Sequence, residues 1–202
     1  MSTIPLHLDG YTDLPPGKIA NIVTFLEMTA PPARIAAGPG GRTVRKVERP
    51  ATAWYRALYR QIGEDWLWFS RAVMSDERLA DILTAPATEI LALTQSGRDI
   101  GLVEIDLSGP DTAEIVTFGV IPEATGSGAA RGLMDQVLSS LFGRGMRRVW
   151  LHTCSFDHPA AVPFYLKCGF RAFRYGIEVT DDPRIGGFLP REAAPQVPII
   201  EG

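Results

Sequence analysis

Ala113 to Met134 reads AEIVTFGVIPEATGSGAARGLM, and its three parts constrain how the rest of the chain is arranged. Glu114 to Val120 is an apolar, β-branched run that predicts a strand, broken at Pro122. Thr125-Gly126-Ser127-Gly128-Ala129-Ala130 is a glycine turn. Beyond it Ala130, Leu133, Met134, Val137, Leu138 and Leu141 recur at helical spacing, a core stripe that Gly143 and Gly145 end. Strand, turn and helix in this order place unpaired N–H groups at a helix N-terminus. Those donors and the helix dipole both favour an anion, and a pyrophosphate-bearing cofactor suits such a seat.

Downstream, Arg148 to Cys154 predicts a strand that returns across the helix to lie parallel to 114–120. Upstream the period is two: Glu89–Thr94, Ile100–Leu107 and Ala113–Val120 are strands joined by the short turns 95–99 and 108–111. Connections this short force an antiparallel meander. In its middle strand Gly101, Val103, Ile105 and Leu107 face one way. Leu102, Glu104 and Asp106 face the other, which reads as partly open. Further back, Ile19–Met28 predicts a strand ended by Pro31-Pro32. The glycine-rich, basic stretch 33–50 reads as a mobile, solvated loop, with a phosphate contact from its arginines and lysines as the lesser reading. Pro50–Ile62 predicts a helix burying Trp54, Ala57, Leu58, Gln61 and Ile62 and stopped by Gly63. Ser75 caps a second helix through Leu83. After Asp157-His158-Pro159 a short helix, regular from Pro163, ends at Gly169, and Phe170–Val179 is the last strand.

The expected fold is therefore α/β in content (α+β in order): a mixed, mostly antiparallel twisted sheet flanked by helices, with a parallel central strand pair. One domain spans 19–180, between a polar arm at 1–18 and an irregular, proline-rich tail at 181–202. The 202 residues carry a net charge of −3 and a pI near 5.6, which gives no general attraction to nucleic acid or anionic membrane. Cys154 and Cys168 form no metal-ligand or CxxC pattern, so no metal is expected and both thiols read as reduced. Neither a secretory leader nor a membrane span is evident, and a cytoplasmic location is expected. A homodimer is left open.

Two segments together resemble the GNAT N-acetyltransferases. Thr125-Gly126-Ser127-Gly128-Ala129-Ala130 is similar to that family's Gln/Arg-x-x-Gly-x-Gly/Ala loop. Asp157-His158-Pro159-Ala160-Ala161-Val162-Pro163-Phe164-Tyr165-Leu166-Lys167-Cys168-Gly169-Phe170 is similar to its second signature, with His158 in place of an Asn. Thr125 replaces the long Gln or Arg, which leaves the backbone amides in place. The resemblance implies acetyl-CoA as cofactor. Phe118, Val120, Thr125, Gly126, Ser127, Gly128, Ala129, Ala130 and His158 would be its contacts. A rival dinucleotide-binding reading of Gly126, Gly128 and Gly132 fits poorly, because an antiparallel meander precedes the turn.

What the resemblance implies is acetyl transfer to a primary amine by direct attack in a ternary complex, the acceptor being a small molecule or a peptide or protein amine. Such transfer needs a neutral amine, a donor to the carbonyl oxygen and a partner for the leaving thiolate. Tyr165 matches the family's acid. Glu114 is the leading base, with Glu104 and Asp106 as alternates and His152 and His158 as structural histidines. Trp54, Trp66, Trp68 and Glu104 are expected around the acceptor. The alternative is a module that binds acyl-CoA without turnover.

Overall fold

The computed structural model describes residues 3–32 and 41–201. The ends of the expected arm and tail (1–2 and 202) and part of the expected loop (33–40) lie outside these. Seven strands form one sheet: β1 (Lys18–Met28), β2 (Thr43–Lys46), β3 (Thr88–Gln95), β4 (Arg98–Asp106), β5 (Thr112–Val120), β6 (Arg148–Cys154) and β7 (Arg171–Asp181). Their order is β2-β3-β4-β5-β6-β1-β7. Among the described residues only β5 and β6 pair in parallel, and the other neighbouring pairs are antiparallel. The parallel pair is joined by α3 (Ala129–Gly143), as a crossover helix must join it. The other helices are α1 (Thr52–Gly63), α2 (Asp76–Thr84) and α4 (Ala161–Cys168).

Local chemistry accounts for most boundaries. The Ser75 hydroxyl accepts from the Arg78 amide and starts α2, with Asp76 and Glu77 in its first turn. α3 buries Leu133, Met134, Val137, Leu138 and Leu141 at no more than 1% exposure, together with Ala129 and Gly132. Gly169, at φ +105°, closes α4 in the left-handed region that glycine occupies without a Cβ clash.

Four expectations change. The stretch read as a loop at 33–50 contains β2, which pairs with β3 from Thr43↔Thr94 to Lys46↔Leu91. Four strand residues flanked by glycine and charge leave too short a period to stand out. Helix α1 buries Tyr55, Leu58, Tyr59 and Ile62, while Ala57 and Gln61 are exposed and Trp54 is half-buried. The buried face is turned toward the tyrosines because their hydroxyls find polar partners inside. The second face of β4 is closed: Leu102 is fully buried and Glu104 is 2% exposed beneath α1. Finally, α4 starts at Ala161 and not at Pro163. Pro163 falls in the first turn, where its missing N–H has no intrahelical partner to lose.

Beyond β7 the chain has no further helix or strand among the described residues. It packs Leu189, Ala193 and Ala194 on Ile19, Leu67 and Ala72, a small second core. Buried Arg184 pairs with Asp182 at 2.6 Å and donates to the carbonyls of Ala193, Ala194 and Val197, which ties this segment down.

Candidate active site

The site begins where the parallel pair comes apart. β5 and β6 are paired from Thr112↔Arg148 to Ile115↔Leu151 and no farther, though both strands continue. On its other side β5 bulges against β4: Ile105 faces Ile115, but Glu104 faces Thr117, so Val116 is the extra residue. The bulge bends β5 while β6 stays with β1, with His152 opposite Phe25 and Cys154 opposite Val23. Between the diverging strands lies a cavity of about 370 Å³ whose lining includes Val116, Thr117, Phe118, His152, Cys154 and Tyr165. Past Ile115 the inner edge of β5 offers N–H and C=O groups to whatever enters, as an unpaired strand edge does.

At one end of this gap stands the glycine turn. Gly126 and Gly128 have φ of +75° and +79°, and a Cβ built on either would meet nothing within 4 Å. Glycine is required here by the backbone angle, not by crowding. The first bond of α3 runs from the Gly132 amide to the Gly128 carbonyl, so the amides of Ala129, Ala130 and Arg131 have no acceptor within the helix. These residues fit a phosphate-bearing group: an exposed concave backbone, open space above it and a fifteen-residue helix behind it.

Tyr165, 7% exposed, projects from α4 among Phe118, Phe164 and Phe170, with ring centroids 5.4–6.2 Å away. Burial pushes its phenol well above the usual range, and the Asp157 carboxylate adds to the shift. Asp157 also lines the cavity, held by Trp68 Nε1 at 2.8 Å and by the Thr153 hydroxyl at 2.5 Å. Gly119 lets Trp68 in: a Cβ there would lie 2.4 Å from Ile62 and 3.0 Å from the indole. Burial likewise pushes the Cys154 thiol up.

The carboxylates named from the sequence occupy different surroundings. Glu114 does not line the cavity, but its Oε1 lies 3.5 Å from Nδ1 of His152, which does. Glu104 does not line the cavity and is gripped by Arg71 at 2.5 and 3.1 Å and by the Tyr55 hydroxyl. Burial lowers Arg71, but its bonds to Glu104 outweigh that and its pKa rises. The three tryptophans part company. Trp68 lines the cavity. Trp54 donates to Asp99 beside Arg45, and Trp66 sits edge-on to His158. His158 accepts from the Ala160 amide through Nδ1, a turn bond just before α4. Phe118 lines the cavity, and Val120 closes β5 opposite Gly101. The sequence reading gave no role to Asp157 or Ser70. Only the spacing Thr153…Asp157 was available as a signal for the first, and none for the second.

A glycine turn feeding a helix beside two diverging parallel strands, with a buried tyrosine on the following helix, agrees with the resemblance seen in the sequence. The acetyltransferase (GNAT) family model matches residues 52–170, more than half of the chain. The chain belongs to the GNAT family. An uncharacterized N-acetyltransferase of Mycobacterium tuberculosis is 33% identical over 119 residues, 56% of this chain and 76% of that protein. A mycothiol acetyltransferase of an Arthrobacter species is 33% identical over 115 residues, 54% of this chain and 35% of its own length. A putative GNAT acetyltransferase structure from Novosphingobium aromaticivorans superposes with a TM-score of 0.58 at 18% identity, covering 84% of this chain and 68% of that one. The protein is thus an acetyltransferase of the GNAT fold, whose family co-substrate is acetyl-CoA. No helix among the described residues is long and apolar enough to cross a membrane.

Proposed function

We propose that this GNAT protein moves an acetyl group from acetyl-CoA to a primary amine by direct attack within a ternary complex. The observation that carries the reading is the gap between β5 and β6, with the glycine turn at one end and Tyr165 inside it. In this reading the amides of 126–130 hold the pyrophosphate, with Thr125 and His158 beside them. The free edge of β5 from Val116 to Val120 takes the pantetheine arm as an added strand. Bound acetyl-CoA would supply the thioester. The catalytic unit spans 19–180, flanked by an arm at 1–18 and a tail at 181–202.

Each side chain then has a definite role. Tyr165, with its phenol pushed up, stays protonated and donates a hydrogen bond to developing negative charge on sulfur. A backbone amide at the β5 bulge would be the donor to the carbonyl oxygen. Glu114 takes the amine proton by way of His152, its neighbour on the cavity wall. Glu104, bound to Arg71 and Tyr55, ties α1 and the segment after it to β4. Trp68 and Asp157 shape the side where the acceptor enters. Cys154 lines the cavity, but its raised pKa keeps it a thiol at neutral pH, which favours direct attack over an acylated enzyme.

The test is release of free thiol from acetyl-CoA by purified protein across a panel of small amines, amino acids and peptides. Amine-dependent release is expected. Tight CoA binding with no thioester consumption for any amine would mean a binding module.

A further inference from the structure

The glycine turn supplies dipoles but no full positive charge: residues 122–130 contain no lysine or arginine. Thr125 stands where the family resemblance has a long polar or cationic side chain. Arg131, in the first turn of α3, is directed elsewhere, to Asp135 at 2.9 and 3.1 Å and to the Lys167 carbonyl at 3.0 Å. A cation nevertheless reaches the turn from 85 residues away. Arg42 Nη2 donates to the Ser127 hydroxyl at 3.0 Å, and Arg42 Nε donates to Gln95 Oε1 at 2.9 Å. Ser127 in turn donates to the Ala124 carbonyl at 2.6 Å, which orients its oxygen to accept from Arg42.

The placement follows from the sheet. Arg42 immediately precedes β2, and Thr43 opposes Thr94, so register puts Arg42 beside the β3–β4 turn. That turn adjoins the end of β5, where Gly101 pairs with Val120 and the Ile121 amide bonds to the Ile100 carbonyl. Arg42 is therefore carried to the phosphate end by strand pairing, although it lies far from the turn in sequence.

We propose that Arg42 is a phosphate-recognising residue of the cofactor site, taking over from β2 the charge that Thr125 does not supply. This deepens the acetyl-CoA reading and rests on it. A guanidinium suits phosphate recognition because it is permanently charged and presents parallel donors that match phosphate oxygens. Its contact with Ser127 couples ligand charge to the conformation of the turn.

Calorimetric titration of CoA into wild type, Arg42→Gln, Arg42→Lys and Ser127→Ala tests the proposal without recourse to turnover. Arg42→Gln should weaken CoA by about 10- to 100-fold and flatten the salt dependence of Kd, as loss of a charged contact does. Arg42→Lys should recover part of the affinity, and Ser127→Ala should cost less than about threefold. Repeating the titrations with dephospho-CoA identifies the group. A loss that persists assigns Arg42 to the pyrophosphate, and a loss that vanishes assigns it to the 3′-phosphate. Equal affinity in wild type and Arg42→Gln overturns the proposal. Equal losses in Arg42→Gln and Ser127→Ala, with unchanged salt slopes, overturn it too, since Arg42 would then only brace the turn. A wild type that binds no CoA would strike the underlying cofactor reading, a result distinct from both.

Discussion

The two ends of the cleft are made of different kinds of atoms. At the proposed phosphate end the turn itself offers main-chain amides, positioned by two glycines with positive φ and by the start of α3, and Arg42 reaches it through Ser127. At the proposed acceptor end the cavity is lined by side chains gathered from distant elements: Trp68 from the segment after α1, Asp157 and His152 around the end of β6, and Tyr165 from α4. A site built of amides tolerates a change of side chain but not of backbone angle. A site built of side chains has the opposite sensitivities. This difference explains how Thr125 can replace a long polar residue while the turn keeps its shape.

The sharpest way to break the comparison is Gly128→Glu. It forces a side chain into φ +79° and sets a carboxylate against the phosphate. CoA affinity should fall on the order of a thousandfold, checked by calorimetry on protein whose circular dichroism is unchanged. Next comes Tyr165→Phe, which removes a hydroxyl and little volume. We expect kcat to drop about tenfold to a thousandfold while the Kd for CoA holds. Because burial pushes this phenol up, wild type should show no falling limb from Tyr165 below about pH 10. A falling limb below that pH that Tyr165→Phe abolishes would keep the acid role and overturn the raised pKa.

Glu114→Gln should lower kcat about tenfold and leave CoA affinity intact. Raising the pH should restore part of the rate, since the amine then loses its proton without help. His152→Gln should behave in the same way. If His152→Gln is impaired and Glu114→Gln is not, the histidine works without its carboxylate.

A stability measurement probes the side-chain end more gently. Tyr59 bonds to Ser70 and is pushed up by burial to about 12. Its folded-state pKa exceeds the unfolded value of about 10, so its contribution to stability is whole below about pH 10 and is lost between about 10 and 12. Tyr59→Phe should therefore flatten alkaline unfolding in that window, read as Tm against pH. The smallest effect is expected from Thr125→Ala, less than about twofold in the Kd for CoA. A larger loss would mean that the turn depends on its own side chains as well as on its amides.

Much of the fold was legible because neighbours in sequence settle it. The period-two runs became β3, β4 and β5, the apolar stripe became α3, and the return across that helix made β5 and β6 parallel. The glycine turn was legible for the same reason, whereas Tyr165 was singled out through the resemblance of residues 157–170 to the family's second signature. The aromatic group was not: Trp54, Trp66 and Trp68 lie within fifteen residues and yet end against Asp99, His158 and Asp157. Glu104 looked like a carboxylate on an open strand face, and it is instead buried against Arg71 from the connection between α1 and α2.

By itself, then, the sequence determined the long elements and which turn can present amides to an anion, but not β2 or the start of α4, because backbone angle and periodicity act over a few residues. Only the tertiary structure decided which elements meet. The one-residue bulge at Val116 parts β5 from β6, β2 carries Arg42 to Ser127, and β1, first in the chain, inserts between β6 and β7. These outcomes depend on how packed surfaces and buried polar groups find partners across the whole chain, and no local window of residues contains that information.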